Sequence, residues 1–256
     1  MQTDTGVVDD GGDAGDAGDA APLLVRWATS EPLVYAVLAG YVAYVALHWG
    51  RNRPTRLPRL ALVFYNQVLC FYSAYLCVSI LVALYVHNAG QPPLLALLHS
   101  ACTVNGGANP ALMWLYAISF WGRVVELLDT VLIVHSARPL TFLHTFHHAA
   151  TLWLAHVHLR EETPFQWLTL GVNAAVHALM YAYFALCAAG RPPRWKKLVT
   201  SLQIVQFVLL LGVYAAVMPL WWRGACYATP TAVVSAFSVL GCYLVLFVRF
   251  YVKTYQ

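Results

Sequence analysis

The sequence predicts an all-α integral membrane protein with seven transmembrane helices. The 256 residues are 60% hydrophobic and only 10% charged, whereas soluble domains are about a quarter charged. Beyond residue 22, seven apolar stretches have a length of about 20 residues, which an α-helix needs to cross a bilayer. The charges lie mostly between these stretches, as expected of interhelical loops.

Residues 1–22 differ from the rest of the chain. They hold six of the eleven acidic residues, no Lys or Arg, and the repeat GDAGDAGDA. With so little apolar surface to bury, they are predicted to form a disordered acidic tail, and they lack the basic region of a cleaved signal peptide. Residues 23–256 are predicted to form one seven-span domain. Its 15 basic against 5 acidic residues favour anionic lipid head groups or a phosphorylated substrate over nucleic acid.

The first three spans are predicted from two long apolar runs and one interrupted run. Residues 33–49 and 60–86 form the first two and are separated by an Arg-rich loop. The third span, residues 111–134, is the least regular because three charged residues interrupt it. It is kept because removing it would scramble the distribution of Lys and Arg between the two sides of the membrane.

The remaining four spans follow closely on one another. Residues 139–158 begin at Pro139 and carry three clustered histidines, and residues 164–189 carry Asn173 and His177. Two glutamines lie near the start of the sixth span, residues 198–220, and basic residues end the seventh, residues 232–251.

Orientation is predicted from the loop charges. With seven spans, eleven Lys and Arg lie on one side and three on the other. The positive-inside rule assigns the side with eleven to the cytosol. The C-terminus is then cytosolic and the N-terminus lies outside the cytosol.

Two cysteines lie in predicted loops of the non-cytosolic side, where disulfides can persist. Cys102 is between spans two and three, and Cys226 is between spans six and seven. We predict a bridge between them; two free thiols are the alternative.

The residues His144-Thr145-Phe146-His147-His148 form an H-x-x-H-H motif early in the fourth span. Residues at i, i+3 and i+4 share one helical face, so all three imidazoles can point into one site. Neutral imidazole suits a nucleophile, a general base or a metal ligand. Because polar groups are costly inside a membrane, this cluster indicates function.

Four predicted spans place polar side chains at a similar depth in their cytosolic halves. His147 lies about 12 Å from Pro139 along the helix axis. Each polar set has helical spacing and so shares one face. We expect the helices to enclose an active-site tunnel that faces the cytosol. The sets are Arg123, Glu126, Asp129 and Thr130; His144, His147 and His148; Asn173, His177, Met180 and Tyr181; and Thr200, Gln203 and Gln206.

Structural roles are open alternatives for some of these residues. Arg123, Glu126 and Asp129 could form an ion-pair cluster. Gln203 and Gln206 could form hydrogen bonds between helices. His156 and His158, at the far end of the fourth span, are predicted to be interfacial or structural.

Together these motifs resemble the ELO family of very-long-chain fatty acid elongases, the membrane 3-ketoacyl-CoA synthases. The resemblance covers roughly residues 30–256. RVVELLDT (123–130) resembles K-x-x-E-x-x-D-T, and HTFHH (144–148) is similar to H-x-x-H-H. NAAVHALMYAYF (173–184) resembles N-x-x-V-H-x-x-M-Y-x-Y-Y, and TSLQIVQF (200–207) resembles T-x-x-Q-x-x-Q-F.

The chain departs from these patterns in two places. Arg123 stands where the family has Lys, which keeps the charge but not a compact ammonium. Phe184 stands where a Tyr is expected, which removes a hydroxyl. The C-terminal residues Lys-Thr-Tyr-Gln show no dilysine retrieval pattern, so residence in the endoplasmic reticulum is implied by the resemblance alone. In that membrane the non-cytosolic N-terminus would be lumenal.

The activity that the resemblance implies is condensation of a long-chain acyl-CoA with malonyl-CoA. The products are a 3-ketoacyl-CoA two carbons longer, CO2 and CoA. The one cysteine near the predicted cytosolic side, Cys187, lies outside every motif, so imidazole is the expected nucleophile. His147 is expected to form an acyl-imidazole, with His177 assisting and His144 or His148 orienting and moving protons.

The other expected roles follow from charge and hydrogen-bonding capacity. Glu126 and Asp129 hold a histidine tautomer or pair with Arg123. The expected substrate-binding residues are Arg123, Asn173, Tyr181, Gln203 and Gln206, with Arg138, Arg194, Lys196 and Lys197 opposite the CoA phosphates. The alternative for these last four is a role in topology only.

Neither a metal nor a cofactor is expected. The implied partners are acyl-CoA, malonyl-CoA and membrane lipid, together with the ketoreductase, dehydratase and enoyl reductase of the elongation cycle; a homodimer is left open. One rival interpretation is a histidine-motif di-metal desaturase or hydroxylase, but such sites need about eight histidines in three motifs. The other is a seven-span receptor or transporter, which would not explain polar groups at one depth in four helices.

Overall fold

The computed structural model describes residues 23–51, 57–103, 109–136 and 138–256, and the predicted acidic tail lies outside these ranges. All regular secondary structure within them is α-helical. The helices are α1 (Leu23–Ala28), α2 (Glu31–His48), α3 (Arg59–His87), α4 (Pro93–Cys102), α5 (Pro110–Glu126), α6 (Leu128–Val134), α7 (Phe142–Arg160), α8 (Gln166–Ala188), α9 (Lys196–Trp222) and α10 (Pro230–Tyr255). The all-α prediction is confirmed for the described residues.

Helices occupy each of the seven predicted segments, with two differences. The third segment is divided into α5 and α6, which meet at Leu127. Two short helices, α1 and α4, were not predicted, because neither is long enough to give an apolar run of membrane length. In α4 a proline occupies the first turn, where its missing N–H group is not needed.

Within the described ranges, five helices are long and apolar enough to cross a membrane: α2, α3, α8, α9 and α10. This identifies a multi-pass membrane protein. α5 ends after 17 residues at the break, and α7 carries five histidines in 19 residues. The predicted count of seven crossings therefore exceeds the number that length and composition establish.

The core consists of two apolar clusters that meet along α7. The first contains buried residues of α2, α3, α5, α7 and α8, including Leu152 of α7. The second joins α7 to α9 and α10 and includes Leu154. Because α7 contributes to both clusters, its side chains lie near the centre of the bundle.

α3 and α5 approach each other closely next to the turn of α5 that carries Arg123. The Tyr72 hydroxyl donates a hydrogen bond to the Ile118 carbonyl oxygen at 2.9 Å. A Cβ atom at Gly122 would collide with the same hydroxyl, so glycine permits this contact. The contact fixes the turn of α5 that carries Arg123.

The two ends of the bundle are linked differently. At one end, called the disulfide end, Cys102 and Cys226 form the disulfide proposed from the sequence. Beside it, Tyr227 N donates to the Cys102 carbonyl oxygen at 2.8 Å, and the Tyr227 hydroxyl donates to the Glu161 carbonyl oxygen at 3.4 Å. At the other end, the Thr200 and Tyr255 hydroxyls lie 3.2 Å apart and join α9 to α10.

Candidate active site

The first turns of α7 carry the histidine motif. Thr141 caps the helix by accepting a hydrogen bond from the backbone N–H of His144 at 3.3 Å. The ring centres of His144 and His148 are 4.3 Å apart, and those of His147 and His148 are 5.6 Å apart. The structure thus places the three imidazoles side by side.

His147 faces histidine and tyrosine side chains of two other helices. Its ring is stacked on that of His177 in α8, with ring centres 6.4 Å apart and planes at 22°. On α10, the ring centre of Tyr243 lies 4.8 Å away. The Nδ1 atom of His177 lies 3.0 Å from the Asn173 carbonyl oxygen. Because a carbonyl only accepts, Nδ1 carries the proton and Nε2 is left basic.

Arg123, Glu126 and Asn173 form a buried cluster. The Arg123 guanidinium donates to both carboxylate oxygens of Glu126 at 3.0 and 2.8 Å, and to Asn173 Oδ1 at 2.6 Å. Of the two roles predicted for Glu126, the structure shows the pairing with Arg123. The Arg123–Glu126 pair compensates two buried charges, and the Arg123–Asn173 hydrogen bond joins α5 to α8.

Asp129 and Thr130 contact the other two histidines of the motif. The Tyr181 hydroxyl donates to Asp129 Oδ2 at 2.8 Å, and His148 Nε2 lies 4.0 Å from the same oxygen. Thr130 Oγ1 lies 2.9 Å from His144 Nε2 and 2.9 Å from the Tyr41 hydroxyl. α6 therefore orients both rings.

Two cavities meet at the motif. The larger has a volume of about 400 Å³ and is lined by the three motif histidines and His177, as well as Tyr181, Gln203 and Arg138. The narrower cavity has a volume of about 70 Å³ and runs among α5, α7, α8, α9 and α10. His147 and Gln206 line both cavities. Within the described residues, Gln206 Oε1 is buried without a hydrogen-bond partner.

The predicted CoA-binding cations do not all reach these cavities. Arg138 lines the larger cavity. Arg194, Lys196 and Lys197 are exposed around the start of α9 and line neither cavity, and the Lys197 ammonium lies 5.5 Å from the ring centre of Tyr251. Gln203 Nε2 contacts Met180 Sδ at 3.4 Å.

Tyr243, Tyr41 and His158 are among the residues near the site that were not predicted to belong to it. The Tyr243 hydroxyl donates to the His147 carbonyl oxygen, and the Tyr41 hydroxyl contacts Thr130. His158, predicted to be interfacial or structural, is buried and lines the narrower cavity. A tyrosine in the middle of an apolar span could have marked the first two, but no local pattern distinguished His158 from His156.

No group of three or more His, Cys, Asp or Glu side chains in the described ranges converges closely enough to hold a metal ion. The arrangement of possible metal ligands in those ranges therefore does not favour a di-metal desaturase or hydroxylase.

Comparison with known proteins gives a consistent result. The pattern of the ELO family, described as the GNS1/SUR4 family, matches residues 27–256. Putative fatty acid elongase 2 of Schizosaccharomyces pombe is 34% identical over 241 residues, covering 89% of this chain and 64% of that protein. Very long chain fatty acid elongase 3 of Homo sapiens is 29% identical, covering 90% of this chain and 83% of that protein. This chain thus spans less than two thirds of the S. pombe relative.

Proposed function

This chain belongs to the ELO family, and from that premise we propose that it is a membrane enzyme of fatty acid elongation. It condenses a long-chain acyl-CoA with malonyl-CoA to give a 3-ketoacyl-CoA two carbons longer, CO2 and CoA. The observation that carries the proposal is the position of His147. This imidazole lies where the two cavities meet and is stacked on a second imidazole from another helix.

The two cavities suit the two parts of an acyl-CoA. The larger cavity has polar groups for the pantetheine amides, and Arg138 is available there for a phosphate. The narrower cavity has mainly apolar walls, which suit an acyl tail. The thioester would then lie between them, beside His147. Arg194, Lys196 and Lys197 line neither cavity, so any contact they make with CoA phosphates would lie on the surface outside the cavities.

The first half of the reaction transfers the acyl group to the protein. A nitrogen of His147 attacks the thioester carbonyl, the carbon–sulfur bond breaks, and the CoA thiolate leaves and takes up a proton from water to give CoA. The product is an acyl-imidazole, whose carbonyl remains reactive. His177 accepts the proton released from the attacking imidazole, because its Nε2 is unprotonated while Nδ1 donates to Asn173.

The second half forms the carbon–carbon bond. Malonyl-CoA loses CO2, and the electron pair of the broken bond becomes an enolate. Its carbon attacks the acyl-imidazole carbonyl and expels the His147 nitrogen, which regains the proton held by His177. The Arg123 guanidinium lines the narrower cavity but already donates to Glu126 and Asn173, so it holds α5 against α8 beside His147.

The membrane arrangement belongs to the same proposal. Seven crossings would enclose the two cavities as a tunnel. The end of the bundle that carries the histidine motif would face the cytosol, and the N-terminus would lie in the lumen of the endoplasmic reticulum. Reduction, dehydration and a second reduction must follow condensation before another cycle, so the corresponding enzymes are expected in the same membrane.

The test uses purified protein in detergent with acyl-CoA and labelled malonyl-CoA. Wild type should form 3-ketoacyl-CoA, whereas His147→Ala and His177→Ala should each lose about 100-fold or more. The control is His99→Ala, which removes an exposed imidazole and should keep full activity. With acyl-CoA alone, mass spectrometry should find an acyl group on the peptide containing His147. Full activity of His147→Ala would contradict the assignment of His147 as the nucleophile. If wild type formed no 3-ketoacyl-CoA and contained stoichiometric iron, the condensation reaction would be contradicted.

A further inference from the structure

The narrower cavity continues along α7 away from the histidine motif. His158 lines it and follows His147 by eleven residues on the same helix, a distance of about 16 Å along the axis. The surface that this cavity exposes is mostly apolar, with contributions from Leu154, Leu210 and Leu240. The cavity is narrow, so side chains along it must shift to admit a chain.

Two polar side chains line this cavity far from the histidine motif, where an apolar tail does not require them. His158 and Gln166 both line it, and their side chains are only 2% and 6% exposed. Neither His158 Nε2 nor Gln166 Oε1 has a hydrogen-bond partner among the described residues. Such groups are costly to bury, and most in native proteins are satisfied by protein, water or a ligand.

The charges around these two groups limit the ligand to a neutral one. Arg123 is the one Lys, Arg, Asp or Glu among the described residues that line this cavity, and its guanidinium is bound to Glu126 and Asn173. A carboxylate or phosphate beside His158 would be buried without a free cation. Neutral imidazole has one donor and one acceptor, and a primary amide has both. A hydroxyl group, which donates one hydrogen bond and accepts another, matches this pair.

We propose that His158 and Gln166 form a specificity site for a hydroxyl group at or near the methyl end of the acyl substrate. This rests on the proposed function, because it names a class of substrate for the same active site. With the thioester carbonyl at His147, an extended chain of roughly 12 to 14 carbon atoms brings its end to His158. The preference for a hydroxylated acyl-CoA over the unsubstituted acyl-CoA of the same length is therefore expected to be greatest at that length. Shorter and longer chains should show a smaller preference.

The test compares matched pairs of acyl-CoAs, with and without a terminal hydroxyl, over lengths from roughly 10 to 18 carbons. The measured quantity is the ratio of kcat/KM for the hydroxylated to the unsubstituted chain. A general loss of folding or activity cancels in this ratio. In wild type it should pass through a maximum at one length. His158→Phe and Gln166→Met should each lower that maximum by about tenfold or more, because each removes one hydrogen-bond partner.

The matched control is His156→Phe. His156 is also a buried histidine whose Nε2 atom has no hydrogen-bond partner in the described part of the chain. Its Nδ1 lies 2.8 Å from the Ala28 carbonyl oxygen, and it does not line the cavity. Its replacement should leave the ratio unchanged. A ratio that is flat with length, or unaffected by both variants, would show that the site holds ordered water only and would overturn the proposal while leaving the condensation intact.

A binding measurement separates failure of this proposal from failure of the proposed function. If no acyl-CoA is elongated, the condensation is contradicted, and thermal stabilisation of the protein by each pair of acyl-CoAs still reports on the site. Greater stabilisation by the hydroxylated chain in wild type, lost in His158→Phe and Gln166→Met, would support the site. Equal stabilisation by both members of every pair would overturn it.

Discussion

The hydroxyl of Tyr243 donates a hydrogen bond to the backbone carbonyl oxygen of His147 at 3.0 Å, and it also lies 2.7 Å from Thr151 Oγ1. Its ring is in contact with the His147 imidazole. α10 therefore holds the turn of α7 that carries the proposed nucleophile. Tyr243 is a positioning residue, since its hydroxyl bonds to α7 itself.

Replacing Tyr243 with Phe should keep the ring and remove both hydrogen bonds. At about 1 kcal/mol for each bond, we expect kcat to fall by about tenfold while KM changes by less than about threefold. Steady-state kinetics of 3-ketoacyl-CoA formation measures this split. The control is Tyr85→Phe, which removes an exposed hydroxyl. An equal rise in KM with unchanged kcat would argue against a positioning role.

The Arg123–Glu126 pair predicts a non-additive effect on stability. Removing one partner leaves the other buried and unpaired, at a cost of roughly 3–5 kcal/mol. Arg123→Met and Glu126→Met should each lower the thermal unfolding midpoint in detergent more than the double variant does. A double variant as unstable as the sum of the singles would show that the two charges do not compensate each other.

The disulfide predicts a stability that depends on reductant. Cys102 and Cys226 are separated by 124 residues, and closing so long a loop in the unfolded chain is expected to stabilise the fold by about 2–4 kcal/mol. Cys226→Ser should lower the unfolding midpoint, and dithiothreitol should lower it in wild type but not in this variant. Cys242→Ser, which changes a free cysteine, should behave as wild type under both conditions.

Glu161, at the disulfide end, predicts a dependence of stability on pH. The Thr229 hydroxyl lowers the pKa of this carboxyl, and the Arg160 guanidinium 3.0 Å from it adds to the effect. A pKa lowered by folding stabilises the fold above the unfolded value, and this contribution is lost as the pH falls through the folded value.

Wild type should thus be more stable than Glu161→Gln near neutral pH. The difference should begin to close near pH 4.5, the ordinary value for this carboxyl. Thermal unfolding at several pH values measures it, and Glu162→Gln, at the exposed neighbouring position, is the control. If the stability difference between wild type and Glu161→Gln grew as the pH fell, the pKa of Glu161 would not be lowered by folding.

The parts of the site that the sequence could predict are those governed by the geometry of a single helix. The spacing of His144, His147 and His148 requires a shared face, and the i,i+3 spacing of Arg123 and Glu126 permits their pairing. The all-α class followed in the same way from apolar run lengths.

Contacts between distant segments could not be predicted in this way. Tyr243 reaches His147 across 96 residues, and Asn173 joins Arg123 across 50. Lys196 and Lys197 were placed near CoA from charge alone, but which surface an exposed cation serves depends on the packing of the helices around it. The break at Leu127 was indicated only by the charged residues around it.

The covalent link at the disulfide end makes the stiffness of the bundle unequal along its length. Cys102, Glu161 and Tyr227 tie three connecting segments together there. At the opposite end, the Thr200–Tyr255 hydroxyl contact and the Lys197–Tyr251 cation–ring contact join α9 to α10 without a covalent link among the described residues. Thermal separation of the helices should therefore have its largest amplitude beside the larger cavity. A bulky ligand would be exchanged through that end, and cutting the disulfide should speed its release without altering any group that binds it.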